Sequence, residues 1–534
     1  MRRFKTEFAF IAAGIILLAV LFIVQQIDLV RDNGKDYVTT IGIPLDDVYI
    51  HCRYAENLIA GHGYSFNPPE QVSADTSPLW VVLIAAGGLL TSHLEVVAVI
   101  LSSLSWLLLA PGVYRVTKNV FNFEELWARF AGILMLLNGR LLIMAPSGME
   151  TTLATLLALM AIEMHIRSRD EYKIRLREAV ILGLGIATRP ELFLLSVILG
   201  SDWLVLLIKK KVFVDRFIGF GIILGIFIAA ILAIPYSIEG QLSFHSSIVQ
   251  GFCFRFPPDF FYIVKSFWIL VEQYSPIIFW PILVIGFTAF GMKDPTEASD
   301  PKFVKKFRFP KLAGRNAAMT IFLIGLPVLQ GFFAPQYRHF GRYIFPLFPI
   351  VILGVTAVGR NCLKSSKRTN IQAGHNVFLE RWCNALWLAL FMVFFSLTSI
   401  KWIVNYGHSV SNINDQHLAV AAWVNENATK NDIIAADDVG AFGYFTKRNI
   451  VDLTGLVTPE IFPLQHDQKL VWQTARMHGA NLFVIYTRLN PSFYTYAKDS
   501  LELVQTFPIR EPLVSSADSV MTIFRVKGTA NAAR

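Results

Sequence analysis

The chain is expected to fold as a polytopic α-helical membrane protein with a small α/β domain at its C-terminal end. Three observations support this. First, 54% of its 534 residues are hydrophobic and only 16% charged, with a mean hydropathy of +0.49, and a soluble chain of this length needs more charge to cover its surface. Second, apolar runs recur through residues 1–406 at lengths suited to a bilayer-crossing helix of roughly 20 residues. Third, the loops between them carry Lys and Arg in clusters that fall on alternate turns of the chain, which fixes an orientation.

The first run, Phe8–Val24, follows Arg2, Arg3 and Lys5, so the N-terminus is expected in the cytoplasm and the run to be an uncleaved anchor. About eleven spans are expected, near 8–28, 94–116, 128–145, 149–166, 177–188, 190–208, 213–235, 266–290, 316–334, 343–360 and 384–406. The 177–188 run is broken at Arg189-Pro190 and reads as a half-helix. Leu79–Leu90 offers only about 18 Å of helix, too little to cross, and is expected to lie in the outer interface. Charge supports that assignment. Arg115 and Lys118, the run from Arg167 to Arg177, Lys209–Lys211, the run from Lys293 to Arg315, and Arg360 to Arg368 all become cytoplasmic if 79–90 does not cross. The net charge of +9 is thereby explained by topology, and no nucleic-acid partner is expected.

From about Asn412 the character changes. Strand-like runs at Ile433–Ala436, Asn449–Leu453, Leu482–Tyr486 and Val520–Val526, with a helical segment Gln416–Asn427, predict an outer α/β domain over 407–534. Cys52, Cys253, Cys362 and Cys383 have no metal-like spacing; the topology permits a Cys52–Cys253 disulfide, though four free thiols are the simpler reading.

Five polar constellations land on the outer face. They are Asp46-Asp47 with His51, Arg53 and Tyr54; Ser147 to Glu150; Arg189-Pro190-Glu191; the loop 237–262 with Glu239, His245, Gln250, Arg255 and Asp259; and Gln336 to His339 with Arg342. On a helix, Asp47, His51 and Tyr54 share one face. Taken singly, Arg189-Pro190-Glu191 reads as a turn with a local ion pair, Glu150 as a helix cap, and Arg338 and Arg342 as a loop boundary. Charge at membrane depth is costly and marks function, so five such sites on one face carry more weight than any one.

The inventory suits transfer of a group from a lipid phosphate. A carboxylate can deprotonate an acceptor hydroxyl, the guanidinium fork matches phosphate, and a second carboxylate can hold a divalent metal or a sugar hydroxyl. No Walker loop or Rossmann fingerprint is present. A transporter or flippase of lipid-linked saccharides would instead place polar residues mid-span with inverted repeats. A phosphoethanolamine-type transferase would need a nucleophile in a His- and Asp-rich soluble domain.

Three stretches of the first outer loop carry a resemblance: Asp46-Asp-Val-Tyr-Ile-His-Cys-Arg-Tyr-Ala-Glu-Asn-Leu58, Gly61-His-Gly-Tyr-Ser-Phe-Asn-Pro68 and Thr76-Ser-Pro-Leu-Trp80. They are joined by Ser147-Gly-Met-Glu150, Ala187-Thr-Arg-Pro-Glu191, Arg342-Tyr-Ile-Phe-Pro346, Asp438-Val-Gly-Ala-Phe-Gly-Tyr444 and Val451-Asp-Leu-Thr-Gly-Leu456. Together these resemble the type-C glycosyltransferases, and within them a bacterial branch that includes the terminal arabinofuranosyltransferases of arabinan-containing cell walls. The resemblance implies an enzyme of the bacterial cytoplasmic membrane. It would transfer a sugar, with inversion, from a polyprenyl-phosphate donor to a cell-envelope glycan, lipid or protein on the outer face. One stretch departs from the pattern: His245-Ser-Ser-Ile-Val-Gln250 stands where relatives often carry an Asn-Thr-Phe-Tyr-like run, so sugar specificity does not carry over.

The expected roles follow. Asp46 or Asp47 is the base, and Arg189 with Arg338 or Arg342 holds the donor phosphate. Glu150 and Glu191 hold metal or sugar, with Asp47 and Glu150 the candidate metal ligands. His51, Arg53, Tyr54 and His245 contact substrate. Asp437-Asp438 and Asp452 read as turn residues at strand ends.

Overall fold

The computed structural model describes residues 2–31, 41–249, 251, 254–273, 316–333, 339–373 and 377–529. It is a helical membrane body bearing one five-stranded sheet at its C-terminal end. Among the described residues, four helical segments are long and apolar enough to cross a bilayer: Lys5–Gln25, Leu94–Asn119, Val214–Glu239 and Phe340–Arg360. A fifth candidate is the bent pair Glu125–Leu136 and Gly139–Ser147, which turns through 52°. Val214–Glu239 leaves Ile218, Ile222 and Ile226 exposed along one stripe, as expected of a lipid-facing helix. Most of the expected 266–290 span falls outside the described residues.

Shorter helices lie between these segments. Pro78–Gly88 has 11 residues, about 17 Å of helix. The helix Leu176–Thr188 stops before Arg189, whose backbone is extended (φ −151°, ψ 127°), because Pro190 disfavours helical geometry in the residue before it. The chain re-enters a helix at Leu192–Ile208. The long helix Val377–Ile413 runs past residue 407 without a break and continues through a wide turn, Asn414–Leu418, into Ala419–Asn427.

The sheet comprises β1 (Ile434–Ala436), β2 (Ile450–Asp452), β3 (Leu482–Ile485), β4 (Leu501–Pro508) and β5 (Val520–Val526), in the order β2-β1-β3-β5-β4. β2, β1 and β3 are parallel, and β5 and β4 close the far side antiparallel. The two faces do different jobs, as the two-residue period of a strand allows. Ala435, Phe483, Ile485 and Phe524 pack with Trp472 and Phe493 in a core of the domain's own. Ile434, Ala436, Leu482, Val484 and Ile523 point the other way and join the core of the membrane body. The sheet is thus fused to the body by one face. The C-terminal end of β1, a position where ligands of open α/β sheets bind, lies beside the loop after the first span: Asp46 meets the turn after β1, and Asn67 of the same loop exchanges hydrogen bonds with Ile450 at the start of β2.

Candidate active site

Asp46 immediately precedes the helix Asp47–Ile59, and Asp47 is its first residue. Successive helical residues project about 100° apart, so the two carboxylates diverge. Asp47 accepts a 2.7 Å bond at Oδ2 from Arg342 Nη2, and its side chain is 30% exposed. Arg342 is buried. Its Nη1 faces Met149 Sδ at 3.7 Å, and its Nε is a donor with no partner among the described residues. One helical turn beyond Asp47, His51 bonds Asp75 Oδ2 through Nδ1 at 2.5 Å and faces Glu150 Oε2 with Nε2 at 3.3 Å. Glu150 in turn meets Arg189 Nη1 at 2.5 Å, and Arg189 Nη2 meets Glu191 at 2.6 Å. The Tyr343 ring lies under both guanidiniums, 4.9 Å from Arg189 and 5.7 Å from Arg342.

The result is a continuous file of alternating charge, Asp75–His51–Glu150–Arg189–Glu191, alongside the pair Asp47–Arg342. Burial disfavours a charged His51, but Asp75 and then Glu150 outweigh it and push the imidazole up to about 10. His51 is therefore an imidazolium at neutral pH, a third cation beside the two arginines. Asp47 is the most open carboxylate of this group.

Asp46 has the opposite environment. It is 7% exposed, and both its oxygens are engaged by the C-terminal domain: Gly440 N–H donates to Oδ2 and Ala441 N–H to Oδ1, each at 2.8 Å. Any side chain at position 440 would run into this carboxylate, so the close approach requires glycine. His417 Nε2 bonds Asp438 Oδ2 at 3.0 Å, and one ligand atom each of Asp46, His417 and Asp438 lies within 4.8 Å of the others. Burial and the neighbouring Asp438 push the Asp46 carboxyl up to about 8. At Asp438 burial also opposes charge, but the bond to His417 prevails and holds it below the usual range. The His417 imidazole is raised, against its own burial, by Asp46 and Asp438.

The structure thus brings together Asp47, His51, Glu150, Arg189, Glu191 and Arg342 as expected, and gives other expected residues different work. Arg53 donates from Nε to the Phe66 carbonyl at 3.1 Å and pairs with Glu56, while Tyr54 donates to the Val72 carbonyl at 2.6 Å. Both are buried and satisfied by the chain that returns after the helix. His245 bonds the Gly455 carbonyl at 2.8 Å and Glu239 bonds Ser73, so this loop ties the outer loop to the C-terminal domain. Arg338, Gln250 and Cys253 lie outside the described residues; Cys52 is a buried free thiol. Asp452 is a turn residue, accepting from Thr454 N and Val457 N, and Asp437 likewise caps Tyr486 N. Asp438 instead faces the acidic pair.

The donor set for a divalent cation also differs from expectation. Asp47 and Glu150 are both engaged by guanidiniums, whereas Asp46, His417 and Asp438 offer two carboxylates and an imidazole in reach of one ion. Their existing bonds, two amides on Asp46 and the imidazole on Asp438, compete with that use.

Sequence reasoning missed Asp75, His417 and the inward role of Asp438. Asp75 sits 24 residues beyond His51 on the return of the same loop, and His417 is hundreds of residues away on another domain, so neither shares a local pattern with the acidic pair.

The fold is shared with solved structures. ArnT from Cupriavidus metallidurans in the apo state superposes with a TM-score of 0.55 at 11% identity, over 96% of this chain and 97% of that one. The archaeal oligosaccharyltransferase AglB from Archaeoglobus fulgidus, solved with an inhibitory peptide and a dolichol-phosphate, gives 0.50 at 12% identity over 97% and 75% of the two chains. An Archaeoglobus fulgidus oligosaccharyltransferase in complex with Zn and sulfate gives 0.50 at 14% identity over 90% and 69%. The architecture is the type-C glycosyltransferase fold. A family model described as a domain of unknown function, DUF8728, matches residues 411–524. No curated protein matches the chain in sequence.

Proposed function

We propose that this protein is a membrane glycosyltransferase that moves a sugar from a polyprenyl-phosphate donor to an acceptor hydroxyl on the outer face of a bacterial cytoplasmic membrane, with Asp47 as general base. The observation that carries the reading is the Asp47–Arg342 pair, a partly exposed carboxylate held 2.7 Å from a buried guanidinium whose Nε has no partner among the described residues. A lipid phosphate arriving at Arg342 competes with Asp47 for that guanidinium. Donor binding thereby frees the base as it fills the site. Asp47 takes the acceptor hydroxyl proton, the acceptor oxygen attacks the anomeric carbon opposite the phosphate, and the bond from that carbon to the phosphate oxygen breaks. The configuration inverts, and the proton remains on Asp47. The polyprenyl phosphate leaves with its charge facing Arg342, with Arg189 and the His51 imidazolium nearby. The apolar chain of the donor lies against the spans, so no soluble nucleotide site is required.

The likeness to AglB, which was solved with a dolichol-phosphate, supports a lipid-phosphate donor. The topology proposed here keeps about eleven spans, a cytoplasmic N-terminus and an outer C-terminal domain that shapes the acceptor side. The acceptor is a cell-envelope glycan, lipid or protein. The motif resemblance to arabinofuranosyltransferases puts polyprenyl-phosphate arabinofuranose first among donors to try, with hexosyl donors beside it because His245–Gln250 departs from that branch. The test is a panel of radiolabelled polyprenyl-phosphate sugars incubated with purified protein in detergent. Release of polyprenyl phosphate from one donor supports the reading. Neither turnover nor binding of any donor would remove it and turn attention to transport assays in liposomes.

A further inference from the structure

A charged residue lies inside the expected 128–145 span and takes no direct part in the site. Arg140 follows the 52° bend between Glu125–Leu136 and Gly139–Ser147, where Asn138 caps the new helix by accepting from Leu141 N at 3.1 Å. The bend lays Gly139–Met144 against the long helix Val377–Ile413, so closely that a side chain at Gly139 would strike Trp402. Arg140 is buried. Its guanidinium stacks on the Trp402 ring at 4.1 Å, its Nη2 pairs with Glu272, and its Nη1 donates to the Phe340 carbonyl at 2.6 Å. A buried arginine at membrane depth is costly to place and needs a reason.

Phe340 supplies one. It stands at φ 63° and Gly341 at φ 76°, consecutive left-handed residues. For a bulky side chain this conformation is unfavourable and persists only where the surroundings impose it. The imposing contacts here come from one cluster: Arg140 grips the Phe340 carbonyl, and the Phe340 ring stands perpendicular to that of Trp402 with centroids 5.9 Å apart. Arg342 is the next residue after this turn, and its reach to Asp47 depends on the direction in which the turn releases the chain.

We propose that Arg140, held by Glu272 and Trp402, is a positioning residue: it fixes the left-handed Phe340-Gly341 turn and thereby aims Arg342 at Asp47 and at the donor phosphate. This rests on the reading of Arg342 as the cation that meets that phosphate. Relaxation of the turn carries Arg342 away from Asp47, whereas the ion pairs of Arg189 with Glu150 and Glu191 and of His51 with Asp75 do not involve the turn, so the effect falls on the donor and spares the acceptor.

The experiment is equilibrium binding of a radiolabelled polyprenyl monophosphate to the full-length protein, for wild type, Arg342→Ala, Arg140→Ala, Arg140→Lys and the double alanine variant, with thermal unfolding in parallel. Arg342→Ala is expected to weaken binding about tenfold or more. Arg140→Ala should weaken it several-fold with the unfolding midpoint retained, and the double variant should be no weaker than Arg342→Ala alone, because the second change acts through the first. Arg140→Lys keeps a charge facing Glu272 but lacks the fork that reaches Phe340, and shows the same loss in milder form. It carries the test if Arg140→Ala does not fold. Wild-type binding by both Arg140 variants, or penalties that add in full in the double variant, would overturn the positioning role while leaving the donor reading intact. Wild-type binding by Arg342→Ala would overturn the donor reading, and with it any role for Arg140 through Arg342.

Discussion

Asp46 and Asp47 are neighbours in the chain and identical in chemistry, yet they belong to different machines. Asp47 faces the membrane body, where it pairs with a guanidinium and stays partly open to solvent. Asp46 faces the C-terminal domain, where two backbone amides close over it and Asp438 and His417 crowd it. The difference shows that a paired-acid motif assigns no roles by itself; partners and burial do. The Asp47 side is organised for exchange, since among the described residues Arg342 Nε has no partner. The Asp46 side is organised for docking, since removing the carboxylate would strand two amides of a buried turn.

The largest expected effect tests this division at Asp47. Asp47→Asn should lower turnover by about a thousandfold, the usual contribution of a general base, with donor binding and unfolding midpoint retained, measured as label transfer with saturating donor. Next is Arg342→Lys, which keeps the charge but loses the fork. About a tenfold to hundredfold loss in kcat/KM is expected, dominated by the donor. Asp46→Asn comes third. An amide can still accept one of the two amide bonds, so about a tenfold loss of activity is expected, accompanied by faster proteolytic release of the C-terminal domain. Gly440→Ala should reproduce that proteolytic signature, because the added methyl meets the same carboxylate.

The smallest effect is on pH dependence. Asp46 and His51 both hold their protons more tightly when folded than when unfolded, at about 8 and about 10 against ordinary values of 3.8 and 6.5. The folded state then binds more protons between each pair of values, and stability falls as pH rises. The Asp46 contribution is complete below about pH 4 and lost through about 8; that of His51 is complete below about 6.5 and lost through about 10. The unfolding midpoint of wild type should therefore drop from pH 6 to pH 10. Asp46→Asn should flatten the lower part of that slope and His51→Gln the upper part. A midpoint that rises with pH would contradict both assignments.

Much of this was legible in the sequence, for definite reasons. Glu150, Arg189 and Arg342 were expected at one site because membrane topology collapses distant loops onto one face, and charge there is conspicuous. β1, β2, β3 and β5 were anticipated because buried strands are short apolar runs. β4 was not, because Leu501–Pro508 is an edge strand with most of its side chains exposed and an irregular register between Leu503 and Gln505, so the two-residue pattern is blurred. His417 was invisible because it lies in a helical stretch that reads as ordinary amphipathic sequence, and only the docking of the sheet brings it to Asp46. Arg140 was hidden in the opposite way, as a single charge inside an apolar run long enough to absorb it. Arg53 and Tyr54 stand close to the acidic pair in sequence, yet each donates to a carbonyl of the returning loop, Phe66 and Val72, an engagement that no local pattern announces.

The account depends most directly on which aspartate carries the reaction. The measurement is single-turnover transfer from a polyprenyl-phosphate sugar by Asp47→Asn and Asp46→Asn side by side, each checked for folding by its unfolding midpoint. Loss of transfer in Asp47→Asn, with measurable transfer retained by Asp46→Asn, is the predicted result. The reverse order, or full transfer by Asp47→Asn, would contradict it and move the base to Asp46 or away from the acidic pair altogether.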